Sequence, residues 1–182
     1  MIAIMWSAIE AHLNGLRARQ QHFESGQFLF HRGDRVEQIY LVRSGSVHLV
    51  RHQNDGSVLI LQRAAPGSIL AEASLYSEKY HCDAVAFGSV ETRSFAKAGV
   101  KKLLANNPRF ADGWARFLAH ELQEARLRSE ILALKTVAAR LDAWMEWRGA
   151  GLPAKGEWKL VANEISVSPE ALYREIANRR LA

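Results

Sequence analysis

Short apolar runs separated by glycine-bearing turns make up most of the first hundred residues. Glycines at positions 45, 56 and 67 follow one another at intervals of 11 residues, a spacing typical of turns between short antiparallel strands. The clearest turn is Asp55-Gly56, because this pair accepts the positive φ of a tight hairpin. The pattern predicts a β-sandwich, roll or barrel, with strands over residues 27–30, 39–42, 47–50, 58–61, 82–86 and 90–95.

After Phe95 the apolar positions follow the period of a helix. The pattern predicts helices over 97–106, about 109–135 and 137–147, the last ended by the Gly149–Pro153 segment. Within the long helix, apolar and small residues recur every three or four positions, which is typical of a coiled-coil seam of roughly two heptads. We expect a homodimer formed along this seam; a helix buried in the core is the alternative. The seam residues are Leu118, Leu122, Ala125, Ser129 and Leu132.

Two short helical segments separated by a turn end the sequence. The first covers residues 160–165, and Ser166-Val167-Ser168 turns the chain into the second, which begins at Pro169. Ser168 is a good N-cap, and proline suits the first position of a helix. Ala162 is small enough for two helices to cross closely. This arrangement is typical of a helix-turn-helix, whose second helix enters the major groove of DNA by its N-terminal end.

Polar side chains on the second of these helices fit contacts with double-stranded DNA. Arg174 is suited to a guanine edge and Glu170 to the amino group of cytosine, whereas Arg179 and Arg180 are suited to phosphates. The alternative is a helical hairpin whose charged face is simply hydrated. The candidate DNA-binding residues are Ser168, Glu170, Tyr173, Arg174, Arg179 and Arg180.

The charge of the chain lies mainly in its C-terminal half. Residues 1–100 carry 10 Lys and Arg against 9 Asp and Glu, and residues 101–182 carry 14 against 10, which agrees with a nucleic-acid partner for the second half. No apolar run approaches the roughly 18 residues of a membrane span, and the apolar N-terminus is too short for a secretory signal. The single cysteine, Cys82, excludes an internal disulfide framework. We therefore expect a cytoplasmic protein with no membrane partner.

The order of these segments resembles the Crp/Fnr family of bacterial transcription regulators. The glycine-bearing elements RGD, SGSV, DG and PG around positions 33, 45, 56 and 67 are each weak signals, but as a series they are specific for the cyclic-nucleotide-binding fold. The segment VSPEALYREI is similar to the recognition helix of the family. It places Glu170, Tyr173 and Arg174 at positions that usually touch bases.

The resemblance implies an α+β fold in three parts. These are an antiparallel β-roll for effector sensing (a cyclic-nucleotide-binding-like jelly roll) over residues 1–107, a dimerisation helix over 108–135, and a truncated helix-turn-helix domain over 136–182. The implied function is that of a dimeric, sequence-specific DNA-binding transcription regulator and not an enzyme, with RNA polymerase as a further partner.

The sequence departs from the family pattern in two places. The phosphate-binding cassette of the family has a Gly-Glu pair followed by an arginine, whereas here the pair is Ala71-Glu72 and the arginine position holds Tyr80 or His81. A buried cyclic phosphate would lack its bidentate partner, so we expect an unknown small-molecule effector other than cyclic AMP. Family members also continue into a β-hairpin wing where this sequence ends, from which we expect weaker DNA binding that depends more on the dimer. The expected effector-pocket residues are Glu72, Tyr80, His81 and Cys82.

Other chemistry remains open for the sensor. His81 and Cys82 are of residue types that ligate haem, and a free thiol can act as a redox sensor, but packing in a strand is the plainer interpretation, so no cofactor is predicted. Two further functions are retained: a dimeric interaction module that has lost specific DNA binding, and a cupin-like metalloenzyme, which needs clustered His and carboxylate ligands. No metal is predicted, because four other histidines show no metal-binding spacing: His31, His48, His52 and His120.

Overall fold

A computed structural model of the chain describes residues 9–56, 58–149, 151–152 and 154–181. The first eight residues of the predicted sensor domain lie outside the described residues, as do Ala150 and Pro153 of the predicted breaker and the terminal Ala182. Two compact units divide the chain, Met1–Phe117 and Leu118–Ala182.

The first unit is built on one six-stranded sheet in which every pairing is antiparallel. The main strand order is β1-β6-β3-β4, with β2 added on β6 and β5 on β3. This topology confirms the predicted antiparallel β-roll. The strands are β1 (Ala18–Phe23), β2 (Phe28–Phe30), β3 (Gln38–His52), β4 (Val58–Ala64), β5 (Ile69–Leu70) and β6 (Asp83–Ala96).

Two of these strands are longer than the sequence pattern predicts. β3 has 15 residues and joins two predicted strands, and β6 has 14 residues and does the same. Gly45, which we interpreted as a turn between strands, lies inside β3 with φ 77°. A Cβ atom there would lie 2.2 Å from the carbonyl oxygen of Ser89 on β6, so the residue marks a bulge where two backbones approach closely.

The long strands β3 and β6 also supply much of the buried core. Val47 and Leu49 on β3 lie opposite Ala86 and Ala84 on β6, and all four are buried. Apolar side chains at alternate positions of paired strands share one face of the sheet. This shared face is the interior of the roll.

In the described part of the chain, five α-helices follow strand β6, and each is predicted by the apolar period to within about two residues at most ends. Side chains cap three of them: Asn107 Oδ1 accepts from Phe110 N at 3.0 Å, Thr136 Oγ1 from Ala139 N at 3.1 Å, and Ser168 Oγ from Ala171 N at 3.1 Å. In the described part of the chain, no helix is both long enough and apolar enough to cross a membrane. The helices are α1 (Lys97–Asn106), α2 (Pro108–Ala133), α3 (Val137–Arg148), α4 (Trp158–Glu164) and α5 (Pro169–Leu181).

The long helix α2 contributes to both units, which differs from the predicted division at 107/108 and 135/136. Phe110, Trp114 and Phe117 are buried and contact one another, with ring centroids 5.7 Å apart for each neighbouring pair, and they belong to the first unit. Ile131, near the other end of α2, is buried in the core of the second unit. The two ends of α2 therefore contribute to different cores.

The core of the second unit joins the end of α2 to the three last helices. The indole nitrogen of Trp144 on α3 donates to Glu164 Oε2 on α4 at 2.7 Å, and Arg148 pairs with the same carboxylate at 3.1 Å. The buried core residues are Ile131, Leu141, Trp144, Val161, Ala162, Ile165, Leu172 and Ile176.

Candidate functional site

Helices α4 and α5 form the predicted helix-turn-helix. Ala162 is fully buried between them with Leu172 and Ile176, as expected for a small residue where two helices meet. Val167 N donates to the carbonyl oxygen of Ala162 at 2.9 Å and closes the turn. Ser166 occupies the left-handed region, with φ 53°.

The N-terminus of α5 is capped and exposed. Ser168 caps the helix, Pro169 takes its first position, and Glu170 lies in its first turn, where a carboxylate interacts favourably with the positive end of the helix dipole. Ser168 and Glu170 are exposed. The end of the helix that would meet base edges is therefore both ordered and open.

Glu170 and Arg174 form an exposed polar face one turn apart on α5. Within the described residues, neither side chain has a hydrogen bond or ion pair in the structure. Tyr173 is half-buried, and its ring centroid lies 5.2 Å from that of Trp158 on α4. The exposed Arg180 lies over the same indole, with its Cζ 5.3 Å from the ring centroid.

Arg179 has a different environment from the one predicted. Its guanidinium donates to Glu175 Oε1 at 2.7 Å, to Asp142 Oδ1 at 2.5 Å and to the carbonyl oxygen of Ala138 at 3.1 Å. All three of its nitrogens donate within the protein, and its predicted phosphate contact stays a prediction. Arg179 fastens α5 to α3.

The segment that corresponds to the phosphate-binding cassette runs from Ala71 to Cys82. Ala71 is buried with φ 68°, and a single 3₁₀ turn follows over Glu72–Ser74. Ser74 Oγ and His81 Nδ1 lie 3.0 Å apart. Arg51 on β3 donates from Nη2 to the carbonyl oxygen of His81 at 2.9 Å, so a cation from outside the segment holds its end.

Comparisons with known proteins agree with both halves of this description. Residues 20–107 match the family model of the cyclic nucleotide-binding domain. The cyclic AMP receptor protein of Thermus thermophilus is 30% identical over 120 residues, which are 65% of this chain and 56% of that protein. The global nitrogen regulator of Synechococcus elongatus is 25% identical over 168 residues, which are 88% of this chain and 73% of that protein. The chain is therefore similar to regulators of the Crp/Fnr family.

A solved Crp/Fnr-like structure has the same fold. The structure of FixK2 from Bradyrhizobium japonicum superposes with a TM-score of 0.74 at 18% identity, over 91% of this chain and 86% of that chain. The match to the Thermus protein spans little more than half of that relative, 56% of its length.

Two residues predicted for the effector pocket are buried. Tyr80 is 5% exposed; its ring stacks on Phe30 at 3.9 Å, and its hydroxyl donates to the carbonyl oxygen of Gln38 at 3.0 Å. Both its ring and its hydroxyl are engaged in the core, and its place in an effector pocket stays a prediction. Cys82 is 1% exposed, and burial, together with the nearby carboxylate of Glu72, raises the pKa of its thiol to about 11. A thiol with so high a pKa is a poor redox sensor.

The remaining cassette residues lie near the Arg51 cation. His81 is exposed, and partial burial of its ring and the charge of Arg51 lower its pKa. Sequence reasoning missed Arg51, although the period of β3 places it on the same face as the buried Val47 and Leu49. A charged residue on the interior face of a strand is the signal that would have found it.

Asn178 is a second functional candidate that the sequence reasoning missed. It is exposed on α5, one turn beyond Arg174 and two turns beyond Glu170. Residues at this spacing share one face of a helix, and an asparagine can pair with the N6 and N7 edge of adenine. The recurrence of polar residues every four positions along α5 is the signal in the sequence that would have identified Asn178.

Outside the cassette, two histidines lie beside the buried carboxylate of Asp83. Asp83 Oδ2 lies 3.2 Å from His52 Nδ1, Asp83 Oδ1 lies 3.6 Å from His31 Nδ1, and the same carboxylate accepts from Arg32 N at 2.8 Å. Among the described residues there is no group of three or more His, Cys, Asp or Glu that could hold a metal ion. The clustered ligands that a cupin-like metalloenzyme needs are thus not found among the described residues.

The predicted seam forms one face of α2 in the second unit. Leu118 is half-buried and the other four members are exposed in the single chain. The neighbouring stripe, which contains the buried Ile131, packs on the chain itself. The seam is therefore free to meet another molecule, and its members are Leu118, Leu122, Ala125, Ser129 and Leu132.

Proposed function

We propose that this chain is a dimeric, sequence-specific DNA-binding transcription regulator whose β-roll responds to a small molecule other than cyclic AMP. The observation that carries the proposal is the capped, exposed N-terminus of α5, on which the side chains of Glu170 and Arg174 make no hydrogen bond or ion pair within the described part of the protein. Charged side chains held on a rigid helix without internal partners are available to base edges.

Recognition by α5 assigns distinct tasks to its side chains. Arg174 donates two hydrogen bonds to a guanine, Glu170 accepts from a cytosine amino group, and Asn178 reads an adjacent base. Tyr173 is held against Trp158, so it presents only its hydroxyl edge to the groove. Arg180 and the hydroxyl-bearing Ser168 fix the register by contacting phosphates.

The dimer follows from the exposed seam of α2. Leu122 is 51% exposed and Leu132 is 39% exposed, and large apolar side chains in a heptad pattern are buried when a second helix packs on them. A two-fold dimer presents two copies of α5 to two half-sites of a palindrome. Each half-site alone provides too few contacts for specific binding, so the seam and the recognition helix work together.

The effector proposal rests on the cassette. No arginine stands between Lys79 and Arg93, so nothing in that segment can hold a cyclic phosphate with two parallel hydrogen bonds. Arg51, from outside the segment, already donates one of its N–H groups to the carbonyl of His81. We expect the ligand to contact Glu72, His81 and the surface next to Arg51.

Selection of bound sequences from a random DNA library, followed by binding measurements at one fixed salt concentration, tests the proposal. We expect enrichment of a palindrome and an affinity for it at least about a thousandfold above that for random DNA, which is the low end for specific binders. Salt dependence alone does not decide, because non-specific binding shows it as well. A folded dimer with equal affinity for all sequences would contradict the proposal and favour an interaction module that does not read DNA.

A further inference from the structure

Arg140, near the start of α3, makes four hydrogen bonds, and all of their acceptors are main-chain carbonyl oxygens. Nε donates to Leu134 at 2.8 Å and Nη2 to Leu132 at 3.0 Å. Nη1 donates to Ile165 at 3.0 Å and to Ser166 at 2.9 Å. The first two acceptors lie at the C-terminal end of α2, and the other two at the C-terminal end of α4. One guanidinium therefore caps the ends of two helices.

Neither of these helix ends has a cation of its own. α2 and α4 both lack a basic residue in the last turn. The last carbonyls of a helix have no partner within the helix, and they carry the negative end of its dipole. Arg140 supplies the missing donors and the missing charge at both ends. Its fixed fork of N–H groups suits this double task, whereas a lysine ammonium acts as a single point charge.

The turn that Arg140 holds is the one that leads into the recognition helix. Ser166 lies in the left-handed region at φ 53°, which is disfavoured for a residue with a Cβ atom. Its carbonyl is fixed by Arg140, and the N-cap residue Ser168 follows two positions later. The direction in which α5 leaves the turn is therefore tied to the end of α2, the helix that carries the seam.

We propose that Arg140 is a positioning residue, which sets the orientation of α5 relative to the dimer seam on α2. This inference rests on the proposed DNA-binding function. The seam defines the two-fold axis, so the orientation of each α5 determines the separation of the half-sites that a dimer accepts. Arg140 acts through the turn before α5 and needs no contact with DNA itself. Its removal should change which half-site spacing is accepted, beyond any change in overall affinity.

The test compares wild type, Arg140→Lys and Arg148→Lys on three DNA duplexes at one salt concentration. The duplexes are the selected palindrome and two versions with one base pair inserted or deleted between the half-sites. We expect wild type to prefer the selected spacing by about tenfold or more, since misplacing a half-site costs at least as much as one mismatched base pair. In Arg140→Lys this preference should fall to within about threefold. Arg148→Lys is the matched control, since Arg148 is also on α3 but interacts with the side chains of Glu164 and Trp147 and not with a helix end.

The results distinguish a failure of this inference from a failure of the proposed function and from a variant that does not fold. Weaker binding of Arg140→Lys to all three duplexes with the wild-type preference intact would show a merely structural role and overturn the inference. If wild type itself has no preference for any sequence, the proposed function is wrong. Thermal unfolding identifies variants that fail to fold, and Arg140→Gln, which keeps the stem and one amide donor group, is the second variant for the same spacing comparison. A wild-type spacing preference in a folded Arg140→Gln would likewise overturn the inference.

Discussion

Three arginines on α5 show how far a residue's role depends on its surroundings. Arg174 is exposed and makes no hydrogen bond or ion pair in the described part of the protein, Arg180 lies over an indole ring, and Arg179 is held by two carboxylates and a carbonyl. The sequence predicts all three as DNA contacts from their helix alone. The carboxylate of Asp142, on another helix, separates Arg179 from the others, and no local pattern indicates this contact.

Replacing Arg179 with alanine should therefore affect stability and not phosphate binding. We expect Arg179→Ala to lower the free energy of unfolding by about 2 kcal/mol, because charge-assisted hydrogen bonds to the half-buried Glu175 and the exposed Asp142 are lost. Arg180→Ala, the matched control, removes only a cation–π contact of about 0.5–1 kcal/mol. Urea denaturation measures both changes.

The salt dependence of DNA binding should show the opposite order. Arg180→Ala should reduce the slope of log affinity against log salt concentration by about one, because one contact between an arginine and a phosphate is lost. Arg179→Ala should leave the slope unchanged. A reduced slope with unaltered stability in Arg179→Ala would return that residue to the DNA interface.

Asp83 links stability to pH through its histidine neighbours. Burial on its own would raise the pKa of this carboxyl, but hydrogen bonds from Arg32 N and His52, together with the nearby His31, lower it below the ordinary value of 3.8. A carboxyl with a lowered folded-state pKa stabilises the fold above its unfolded-state pKa, and this stabilisation is lost as the pH falls through the folded-state pKa. Asp83→Asn should thus be less stable than wild type at pH 7 by about 1 kcal/mol or more.

The difference between the two proteins should shrink as the pH is lowered from 5 to below 3.8. Denaturant titrations at several pH values provide the measurement. A constant difference across this range would show that Asp83 stabilises the fold through its shape and not through its charge.

At the scale of elements, the apolar period predicts helices better than strands. The caps at Thr136 and Ser168 are visible in the sequence and mark helix starts correctly. β1 was missed because most of its residues are polar and half of them are exposed, which leaves it no alternating pattern. β5 has only two residues. The continuity of β3 through Gly45 depends on the approach of Ser89 on another strand, which no local pattern indicates.

The seam of α2 leads to a prediction about the oligomeric state of the protein. Leu122→Glu should convert the dimer to a folded monomer, because burying two like charges at a two-fold interface is strongly unfavourable. Leu127→Glu is the matched control: Leu127 is also exposed, at 39%, but lies off the seam. Sedimentation equilibrium measures the mass of each variant. Dimers in both variants, or monomers in both, would contradict the assignment of the seam.

At the scale of the whole molecule, the fold was predictable and the site only in part. The order of roll, long helix and helix-turn-helix follows from glycine spacing and apolar periods. The polar face of α5 is predictable from the spacing of its polar residues. Asn178, which the sequence reasoning missed, lies on the same face. The burial of Tyr80 and the approach of Arg51 to the cassette depend on contacts with Phe30 and His81. Such contacts between distant segments determine the chemistry of a sensor and are not visible in its sequence pattern.

We predict that the β-roll does not bind cyclic AMP. Calorimetric titration should show no saturable binding up to about 1 mM, which corresponds to a binding free energy weaker than about −4 kcal/mol. The physical reason is the lack of an arginine in the cassette after Lys79. Saturable binding that is lost in Arg51→Gln would contradict this prediction and assign the phosphate to Arg51.

The central claim, that α5 reads DNA sequence, is tested most directly by the discrimination of a single base pair. The measurement compares the affinities of wild type and Arg174→Ala for the selected palindrome and for versions with one guanine–cytosine pair replaced in each half-site, at one salt concentration. We predict that wild type loses about tenfold or more at one such position, and that Arg174→Ala loses this discrimination there while keeping it elsewhere. If wild type binds the selected palindrome and a scrambled duplex equally well, the claim is wrong.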